Sequence, residues 1–351
     1  MSVEPSESAS PRFFTVVLKR WIVMLSVSVA AATAMLAGSA FTELGREPQE
    51  AFAQIPANVA FDLRYAIVDQ KHILSGGPPK DGIPALTRPA FITAERVDYL
   101  QPEDRVIGVK LGNVTRAYPL AILNYHEIVN DRIGETPFAV TYCPLCDSAA
   151  VFDRRTPLGE REFGVSGLLY NSNVLMYDRG GKPESLWSQV RSTGISGPGA
   201  KRFLTALPCE LTTWSIWKTR FPKTLVLSSD TGQPRDYRRN PYADYFTNQQ
   251  LMFPVTPVNN QLPNKERVLG AWAGNQFRAY PESRFSAEKP QITDKIGGKK
   301  ITVEYDSQAG SLRIAQADEG VAWLYSFWFA WYALHPDTSV YGEVSAQEEQ
   351  R

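Results

Sequence analysis

The sequence contains an internal repeat, and this repeat constrains the fold more than any other feature. Three segments each return later in the chain, in the same order. Ordered matches of this kind indicate a duplicated structural unit. The matching pairs are RVIGVKLGNVTRAYP (105–119) with RVLGAWAGNQFRAYP (267–281), NDRIGETPFAVTY (130–142) with TDKIGGKKITVEY (293–305), and WKTRFPKTLV (217–226) with WYALHPDTSV (331–340).

The spacing between matching segments changes along the chain. It is 162 residues for the first pair, 163 for the second and 114 for the third. The first copy therefore carries about 49 residues that the second lacks, and they fall between Ala150 and Trp214. Most of the segment 163–189 belongs to this insertion. Because the extra residues are found in one copy alone, we expect the functional site in that copy.

The second copy predicts the local structure around two cysteines of the first. Residues 300–306 (KITVEYD) and 311–315 (SLRIA) alternate between apolar and polar side chains, and the residues between them are typical of a turn. In the alignment, CPLC (143–146) lies over DSQA (306–309). The pattern predicts a β-hairpin with the cysteines on its turn. A thioredoxin-like site differs, because its C-x-x-C motif opens a helix.

Two helices complete the predicted unit. Pro119 is typical of the first turn of a helix, and we expect a short helix from there towards His126. The aromatic segment 321–334 is predicted to form a buried helix in the second copy. The expected fold is α+β and β-rich, with two tandem copies of one strand-helix-hairpin unit fused in a single compact body. We assign the copies to residues 61–266 and 267–351.

The N-terminal segment has the layout of an export signal. Residues 21–42 carry no charge, and Lys19 and Arg20 stand just before them. We therefore expect residues 1–42 to form an export signal or a signal-anchor helix. Residues 43–60 follow as a linker to the folded part.

An uncleaved membrane anchor is the favoured form of this segment, because 22 uncharged residues suffice to span a bilayer. Cleavage after Ala40 or Ala53 is the alternative. In either case the folded part is expected to be extracytoplasmic, in the periplasm or at the cell surface. With an anchor, the protein contacts the inner membrane through its N-terminal helix.

The charge balance excludes one class of function. Lys and Arg together number 37, and Asp and Glu together also number 37, so the formal net charge is zero. A protein without net positive charge has no global field to attract nucleic acid. We therefore expect no nucleic-acid partner.

The number of cysteines points to chemistry. Cys143, Cys146 and Cys209 are the three cysteines of the chain. Thiols outside the cytoplasm are usually paired in disulfides, bound to metal or reactive. An odd number cannot all form intramolecular disulfides, so at least one of the three must be free, liganded or catalytic.

Four motifs stand around these cysteines: TYCPLCDSA (141–149), YHEIVND (125–131), VSGLLYNSNVLMYDR (165–179) and SLWSQ (185–189). With these motifs the chain resembles a prokaryotic family catalogued as domain-of-unknown-function family 3179. The resemblance covers roughly residues 97–230. The family has no established activity to carry over, but some of its members are described as selenoproteins, which implies redox chemistry.

Three interpretations of the cysteine pair remain open at this point. In the first, Cys143 and Cys146 form a redox-active dithiol, one attacking and the other resolving, with His126 as a candidate base and a thiol redox partner. In the second, the pair is half of a metal site for copper or zinc, completed by Cys209, His126 or Asp147. In the third, the pair is a structural disulfide or two inert thiols.

The insertion supplies candidate residues for a pocket. Asn171, Asn173, Tyr177 and Gln189 stand among aliphatic residues, which is typical of paired strands whose polar side chains line a binding site. A solvated face is the competing interpretation. A further hypothesis for the whole chain is a non-catalytic binding module, in which the aromatic-rich second copy contacts a partner.

Overall fold

The computed structural model describes residues 61–343 of the chain, and most of their regular structure is β-strand. The predicted export segment (1–42) and linker (43–60) lie outside these described residues. Across 61–343, no helix is both long enough and apolar enough to span a membrane.

The strands are short, and they are numbered here in chain order. Those before residue 230 are β1 (Ile73–Ser75), β2 (Leu86–Thr87), β3 (Phe91–Thr93), β4 (Arg105–Leu111), β5 (Val114–Pro119), β6 (Ile128–Ile133), β7 (Thr136–Cys143), β8 (Ser148–Asp153), β9 (Arg155–Thr156), β10 (Gly159–Glu160), β11 (Glu162–Tyr170), β12 (Asn173–Arg179), β13 (Leu186–Ser188), β14 (Thr193–Ser196), β15 (Ala206–Leu207), β16 (Glu210–Thr213) and β17 (Leu225–Leu227). Those after it are β18 (Arg267–Ala273), β19 (Gln276–Pro281), β20 (Gln291–Ile296), β21 (Lys299–Asp306), β22 (Ser311–Ala317), β23 (Val321–Phe327) and β24 (Ser339–Val340).

The helices of the described residues are shorter than eight residues. The α-helices are α1 (Leu120–His126), α2 (Trp214–Arg220), α3 (Ala243–Phe246) and α4 (Trp328–Leu334). Short 3-10 turns occur at Gln70–His72, Ala94–Arg96, Pro144–Cys146 and Glu282–Arg284. The prediction of a β-rich fold with few helices is confirmed.

The largest sheet joins strands from both ends of the sequence. Its order is β2-β6-β7-β8-β23-β18-β19-β24, and β15 also pairs with β8. The junction is β8, which pairs with β7 along its length and with β23 through Ala149 and Tyr325. The strand that follows the cysteine turn therefore pairs with β7 from its own hairpin and with β23 from a distant part of the chain.

Two further sheets flank this junction. One has the order β16-β4-β5-β17-β3, and the other, β1-β11-β12-β13-β14, contains most of the predicted insertion. A three-stranded sheet, β20-β21-β22, carries the second hairpin. The insertion thus forms most of one sheet, together with β1. The sequence predicts only a pair of strands in this segment.

Glycines on two central strands make room for buried indole rings. A Cβ atom on Gly108 of β4 would lie 2.2 Å from the Trp217 ring, and one on Gly270 of β18 would lie 2.3 Å from the Trp331 ring. Both tryptophans are buried, and each Nε1 donates to a threonine hydroxyl at 3.0 Å. The helices α2 and α4 can pack closely on their sheets because these strand positions carry no side chain.

The apolar interior is divided into separate clusters. Cys143 and Cys146 belong to the cluster that includes Phe163, Met176 and Trp187 from the inserted sheet. Cys209 belongs to a different cluster, with Val151 and Tyr325.

The prediction of one buried helix over 321–334 is wrong in its first half. Residues 321–327 form β23, which pairs with β18 along its whole length, and only residues 328–334 are helical. Aromatic side chains all round a segment show that it is buried, but they do not separate a buried strand from a buried helix. The hairpin prediction is correct: CPLC lies on the turn between the paired strands β7 and β8.

Candidate functional site

The cysteine turn is a tight connection between two buried strands. Cys143 is the last residue of β7, and it pairs with Ser148, the first residue of β8. Pro144 stands at the start of the 3-10 turn, where its missing N–H costs nothing. Asp147 closes the turn with φ of 45°, in the left-handed region. This geometry directs both thiols to the same side of the hairpin.

The two thiols are neighbours, and both are free and buried. Cys143 is 1% exposed and Cys146 is fully buried. The Cys143 thiol lies within hydrogen-bonding reach of the Cys146 sulfur, and it also faces the Ser172 carbonyl oxygen at 3.9 Å. Thiol exchange requires direct access to the sulfur atom. Because both sulfurs are buried, a macromolecule cannot reach either of them in this arrangement.

The Cys146 sulfur is surrounded by hydrogen-bond donors. The Asn173 side-chain amide donates to it at 3.2 Å, and the Ser148 hydroxyl lies 3.2 Å away. The same hydroxyl lies 2.6 Å from Gln189 Oε1, to which it donates when Cys146 is a neutral thiol. By rotation of its hydroxyl group, Ser148 can therefore donate a hydrogen bond either to the Gln189 oxygen or to a Cys146 thiolate.

Gln189 is held in one orientation by its own contacts. Its Nε2 donates to Thr141 Oγ1 at 2.9 Å and to the Ser148 carbonyl at 3.2 Å, while its Oε1 accepts from Asn173 at 2.9 Å. Thr141 in turn donates to the Ala150 carbonyl at 2.9 Å. Because each hydrogen has an acceptor, the amide cannot flip without losing bonds, and the donors around Cys146 are fixed in place.

The two thiols differ in acidity. Burial opposes a charge on Cys146, but the Cys143 thiol, Ser148 and Asn173 all donate to it and together lower its pKa below the ordinary cysteine value. Burial, together with the proton shared with Cys146, raises the pKa of Cys143 well above that value. Of the two thiols, Cys146 is therefore the one whose surroundings favour a negative charge, and Cys143 is the one that holds its proton more tightly.

Asp147 ties the cysteine turn to both halves of the chain. Its carboxylate accepts from Arg105 Nη1 at 2.8 and 2.9 Å, from Arg267 Nε at 2.9 Å and from the Tyr142 hydroxyl at 2.8 Å. Burial opposes its charge, but Arg105 and Arg267 outweigh this and lower the pKa of Asp147. The predicted role of Asp147 as a metal ligand does not match these contacts, because its oxygens are already occupied by cationic and hydroxyl donors.

His126 does not reach the thiols. Its Nδ1 lies 2.7 Å from the Pro84 carbonyl and its Nε2 lies 2.6 Å from the Tyr237 hydroxyl. Burial lowers its pKa, so the ring is neutral near pH 7. Both ring nitrogens are engaged away from the cysteine turn, and the structure does not bring the predicted base into the site.

Cys209 is also separate from the pair. It lies in the second core cluster, its carbonyl accepts from Trp323 Nε1 at 3.0 Å, and burial raises the pKa of its thiol to about 12. Among residues 61–343, no three His, Cys, Asp or Glu side chains are grouped so as to hold a metal ion. The predicted ligand set of Cys143, Cys146, Cys209, His126 and Asp147 is therefore not assembled.

The four predicted pocket residues separate into two groups. Asn173 and Gln189 contact Cys146 or its donors, as described above. Asn171 instead bonds to the backbone of Thr256 through both ends of its amide, at 2.8 and 3.0 Å. Tyr177 bonds to Asp81 and lies under the Lys80 ammonium, 4.3 Å from the ring centroid. Asn171 and Tyr177 thus stabilise loops and do not line the thiol site.

A cavity of about 470 Å³ lies beside the cysteine turn. Leu145, between the two cysteines, is part of its wall, and so is Val174, whose backbone N–H points at the Cys143 sulfur. Among the lining residues that the structure describes, Glu127 and Tyr242 have ionisable side chains and the others are apolar or glycine. The cavity therefore reaches residues that contact Cys143 directly.

Four residues of the site were not predicted from the sequence: Glu127, Ser148, Arg105 and Arg267. Glu127 stands next to His126, which was predicted as a site residue, and Ser148 follows Cys146 by two positions. A signal for the arginines was present, since both repeated segments begin with arginine, at 105 and 267. Their convergence on Asp147 depends on how the two halves pack, which a repeat does not reveal.

Comparison with known proteins gives one match. A family model described as protein of unknown function, DUF3179, matches residues 80–322. No curated protein and no solved structure matches the chain. The matched range is wider than the motif-bearing segment 97–230, and it contains both hairpin turns.

Proposed function

The chain belongs to the protein family DUF3179, and we propose that its Cys143 and Cys146 thiols carry out two-electron redox chemistry on a small molecule. The observation that carries the proposal is the geometry of two adjacent thiols, one of which is contacted by the Asn173 amide and the Ser148 hydroxyl, each at 3.2 Å. These contacts favour a thiolate at Cys146, which lies within hydrogen-bonding reach of the Cys143 thiol. A thiolate in this position is a base for the Cys143 proton, and activation by an adjacent base is typical of catalytic nucleophiles.

The proposed reaction converts the dithiol into a disulfide. Cys143 transfers its proton to Cys146 and attacks one sulfur of a low-molecular-weight disulfide, which releases the first product thiolate. Cys146 then attacks Cys143 in the mixed disulfide and gives up its proton to the second product, so that the Cys143–Cys146 bond forms and this product leaves as a thiol. Two electrons pass from the pair to the substrate, and a low-molecular-weight thiol reductant regenerates the pair by the reverse exchange.

Burial of both sulfurs supports a small substrate. A protein thiol partner would need at least one exposed sulfur, and the exposed fractions of Cys143 and Cys146 are 1% and zero. The cavity next to Leu145 and Val174 offers a route for a small molecule. The partner is therefore a metabolite-sized thiol or disulfide.

Reversible oxidation by diamide tests this function. Diamide is a small neutral oxidant that takes two electrons and two protons from a pair of thiols. We expect the full-length protein to lose two hydrogens from the peptide that contains residues 143–146, as measured by mass spectrometry, and to regain them with dithiothreitol. Cys143→Ser and Cys146→Ser should each abolish the change, whereas Cys209→Ala should retain it because Cys209 lies in another core cluster.

Two results would overturn the redox proposal. One is a pair that stays reduced in folded protein under diamide while the same thiols oxidise in urea. The other is tight binding of one equivalent of copper(I) or zinc, lost in both Cys143→Ser and Cys146→Ser, with no disulfide formed on oxidation. The second result would favour a metal-binding function through the two sulfurs.

We also propose that residues 105–227 and 267–340 contain two copies of one unit. Strands β18 to β21 repeat the bounds of β4 to β7 at offsets of 162 and 163 residues. In each half a tyrosine and an arginine bond to one aspartate, which is Asp131 in the first and Asp294 in the second. The paired glycine and tryptophan contacts at Gly108 and Gly270 add further support.

A further inference from the structure

Glu127 is a buried carboxyl group without a partner. Its side chain is 7% exposed, and no hydrogen bond or ion pair reaches it from residues 61–343. Burial and the nearby Cys143 thiol raise its pKa well above the ordinary value, which favours the protonated carboxyl. A polar group left unpaired inside a protein costs free energy, and such groups often have a functional role.

The backbone holds Glu127 in a conformation that residues other than glycine rarely adopt. It follows α1 with φ of 56° and ψ of −33°. Its N–H donates to the Leu123 carbonyl at 2.8 Å, and its carbonyl accepts from the Tyr142 N–H at 2.8 Å. Strain of this kind persists only where the surrounding structure imposes it, and it is frequent at active sites. The carboxyl group is therefore fixed next to the strand that ends in Cys143.

The cavity that Glu127 lines suits an uncharged molecule. Its wall is mainly aliphatic and aromatic, with Ile83, Leu145, Val165, Leu168, Val174 and Met252 among the residues. Among residues 61–343, no lysine, arginine or histidine lines it, and the acidic residue in its wall is Glu127, whose burial favours the protonated form. A charged ligand would lose its hydration there without gaining an opposite charge, whereas an apolar ligand would gain from burial.

We propose that this cavity binds an uncharged, apolar disulfide and that Glu127 donates a proton to the thiolate that leaves it. The inference rests on the proposed dithiol function and names its substrate class. Cavities of this size, lined by apolar groups with a few polar ones, are typical small-molecule sites. Glu127 and Val174 both line the cavity and adjoin Cys143, so a substrate bound there lies next to residues that contact the attacking sulfur.

The protons of the reaction balance through Glu127. Cys143 attacks after passing its proton to Cys146, and the first leaving thiolate takes a proton from the Glu127 carboxyl. Cys146 then attacks the mixed disulfide, and its proton passes to the second leaving thiolate. The products are two thiols and the Cys143–Cys146 disulfide, with Glu127 left as a carboxylate. Glu127 regains its proton when the thiol reductant restores the pair.

Binding is tested first, with a variant that cannot form the disulfide. In Cys146→Ser, Cys143 is labelled with methanethiosulfonates that carry a neutral benzyl, an anionic sulfonatoethyl or a cationic trimethylammonioethyl group. Rates are divided by those of the same reagents with free cysteine, and labelling is followed by mass spectrometry. We expect the normalised rate of the benzyl reagent to exceed both charged rates at least about tenfold. Equal normalised rates would contradict an apolar site, and they would leave the diamide result unaffected.

The proton donor is tested with two disulfides that differ in their leaving groups. The thiolate released from diethyl disulfide needs a proton, whereas 4,4′-dithiodipyridine releases a stable thione form and does not. Glu127→Gln should slow the reaction with diethyl disulfide at least about tenfold and change the reaction with 4,4′-dithiodipyridine less than about threefold. Equal slowing of both would indicate a structural role, and no slowing of either would exclude proton donation.

A matched control is available in Glu282→Gln. Glu282 is another glutamate whose burial raises its pKa, to about 7, but it lies outside the cavity. This variant should react with both disulfides as the wild type does. If Glu282→Gln gave the same selective loss with diethyl disulfide, the effect could not be assigned to a proton donor in the cavity.

Discussion

The two hairpin turns of this protein occupy matching sequence positions and have opposite environments. In the first, Cys143, Cys146 and Asp147 are buried and their side chains bond to distant strands. In the second, residues 307–310 are mostly exposed, and Asp306 satisfies the turn locally by accepting from the N–H groups of residues 308 and 309 at 3.0 Å. The hairpin geometry is common to both turns, but the chemistry is not.

The difference comes from what covers each hairpin. The first is packed against the inserted sheet, which brings Asn173 and Gln189 to the Cys146 sulfur. Its strand β8 also pairs with β23, whereas β22 in the second hairpin pairs with β21 alone. An ordinary turn becomes a candidate reactive site here because added residues exclude water and supply donors.

The largest expected effect is a difference in stability between variants in which the aspartate of each turn is replaced by asparagine. Asp147→Asn should lower the free energy of unfolding by about 3 kcal/mol, because Arg105 and Arg267 would lose a buried counter-charge. Asp306→Asn is the comparison and should cost under about 1 kcal/mol, since asparagine also accepts the turn hydrogen bonds and loses only a 4.0 Å ion pair with Arg220. Urea unfolding followed by circular dichroism measures both values. Similar costs for the two substitutions would mean that the turns are energetically alike.

A second prediction concerns the contact between a strand glycine and a buried tryptophan, which both halves of the chain contain. Gly108→Ala and Gly270→Ala should each destabilise the protein by about 1–3 kcal/mol, because the new methyl group would overlap a buried indole ring. Adding Trp217→Phe to the first, or Trp331→Phe to the second, should recover part of the loss as a non-additive coupling. A large cost in one half with none in the other would argue against two copies of one unit.

The smallest expected effect is a difference in pH dependence. Leu120 of the first half corresponds to Glu282 of the second, and only Glu282 titrates. Burial raises the pKa of Glu282 to about 7, although Arg267 and Arg105 oppose this. Since the folded state binds this proton more tightly than the unfolded state, its contribution is complete below pH 4.5 and is lost as the pH rises to 7.

Glu282→Gln should therefore flatten the decline in stability between pH 4.5 and 7. Urea unfolding of the variant and the wild type at four pH values across this window measures the difference between the two curves. Parallel curves would show that Glu282 does not titrate in that range in the folded protein.

Much of the local structure could be predicted from the sequence because the repeat provides an internal comparison. An alternating segment in the second copy places the cysteines of the first on a turn, and the pairing of β7 with β8 agrees. Asn173 and Gln189 stood out as polar residues in an aliphatic context. Tyr177 shares this pattern, but it lies four residues along β12 from Asn173, about 13 Å away, so it faces a different neighbour.

The remaining parts of the site depend on packing that no local pattern encodes. His126 ends α1 and Glu127 follows it with a positive φ, so the two adjacent side chains point in different directions, and the glutamate is the one that faces the cavity. Cys209 is distant from the other cysteines because it packs against Val151 and Tyr325 in a separate cluster. Sequence composition suggests which residues are capable of chemistry, but the tertiary arrangement decides which of them meet.

The shared carboxylate of Asp147 has a consequence for synthesis of the chain. Arg267 lies 120 residues beyond Asp147, so the ribosome makes the cysteine turn well before one of its two cationic partners exists. At ordinary elongation rates this interval lasts roughly 6 to 24 seconds. Throughout it the nascent Cys143 and Cys146 thiols are without their finished surroundings and are open to oxidation or stray pairing. The thiol site is thus a late product of translation, because it cannot be complete before residue 267 has been added.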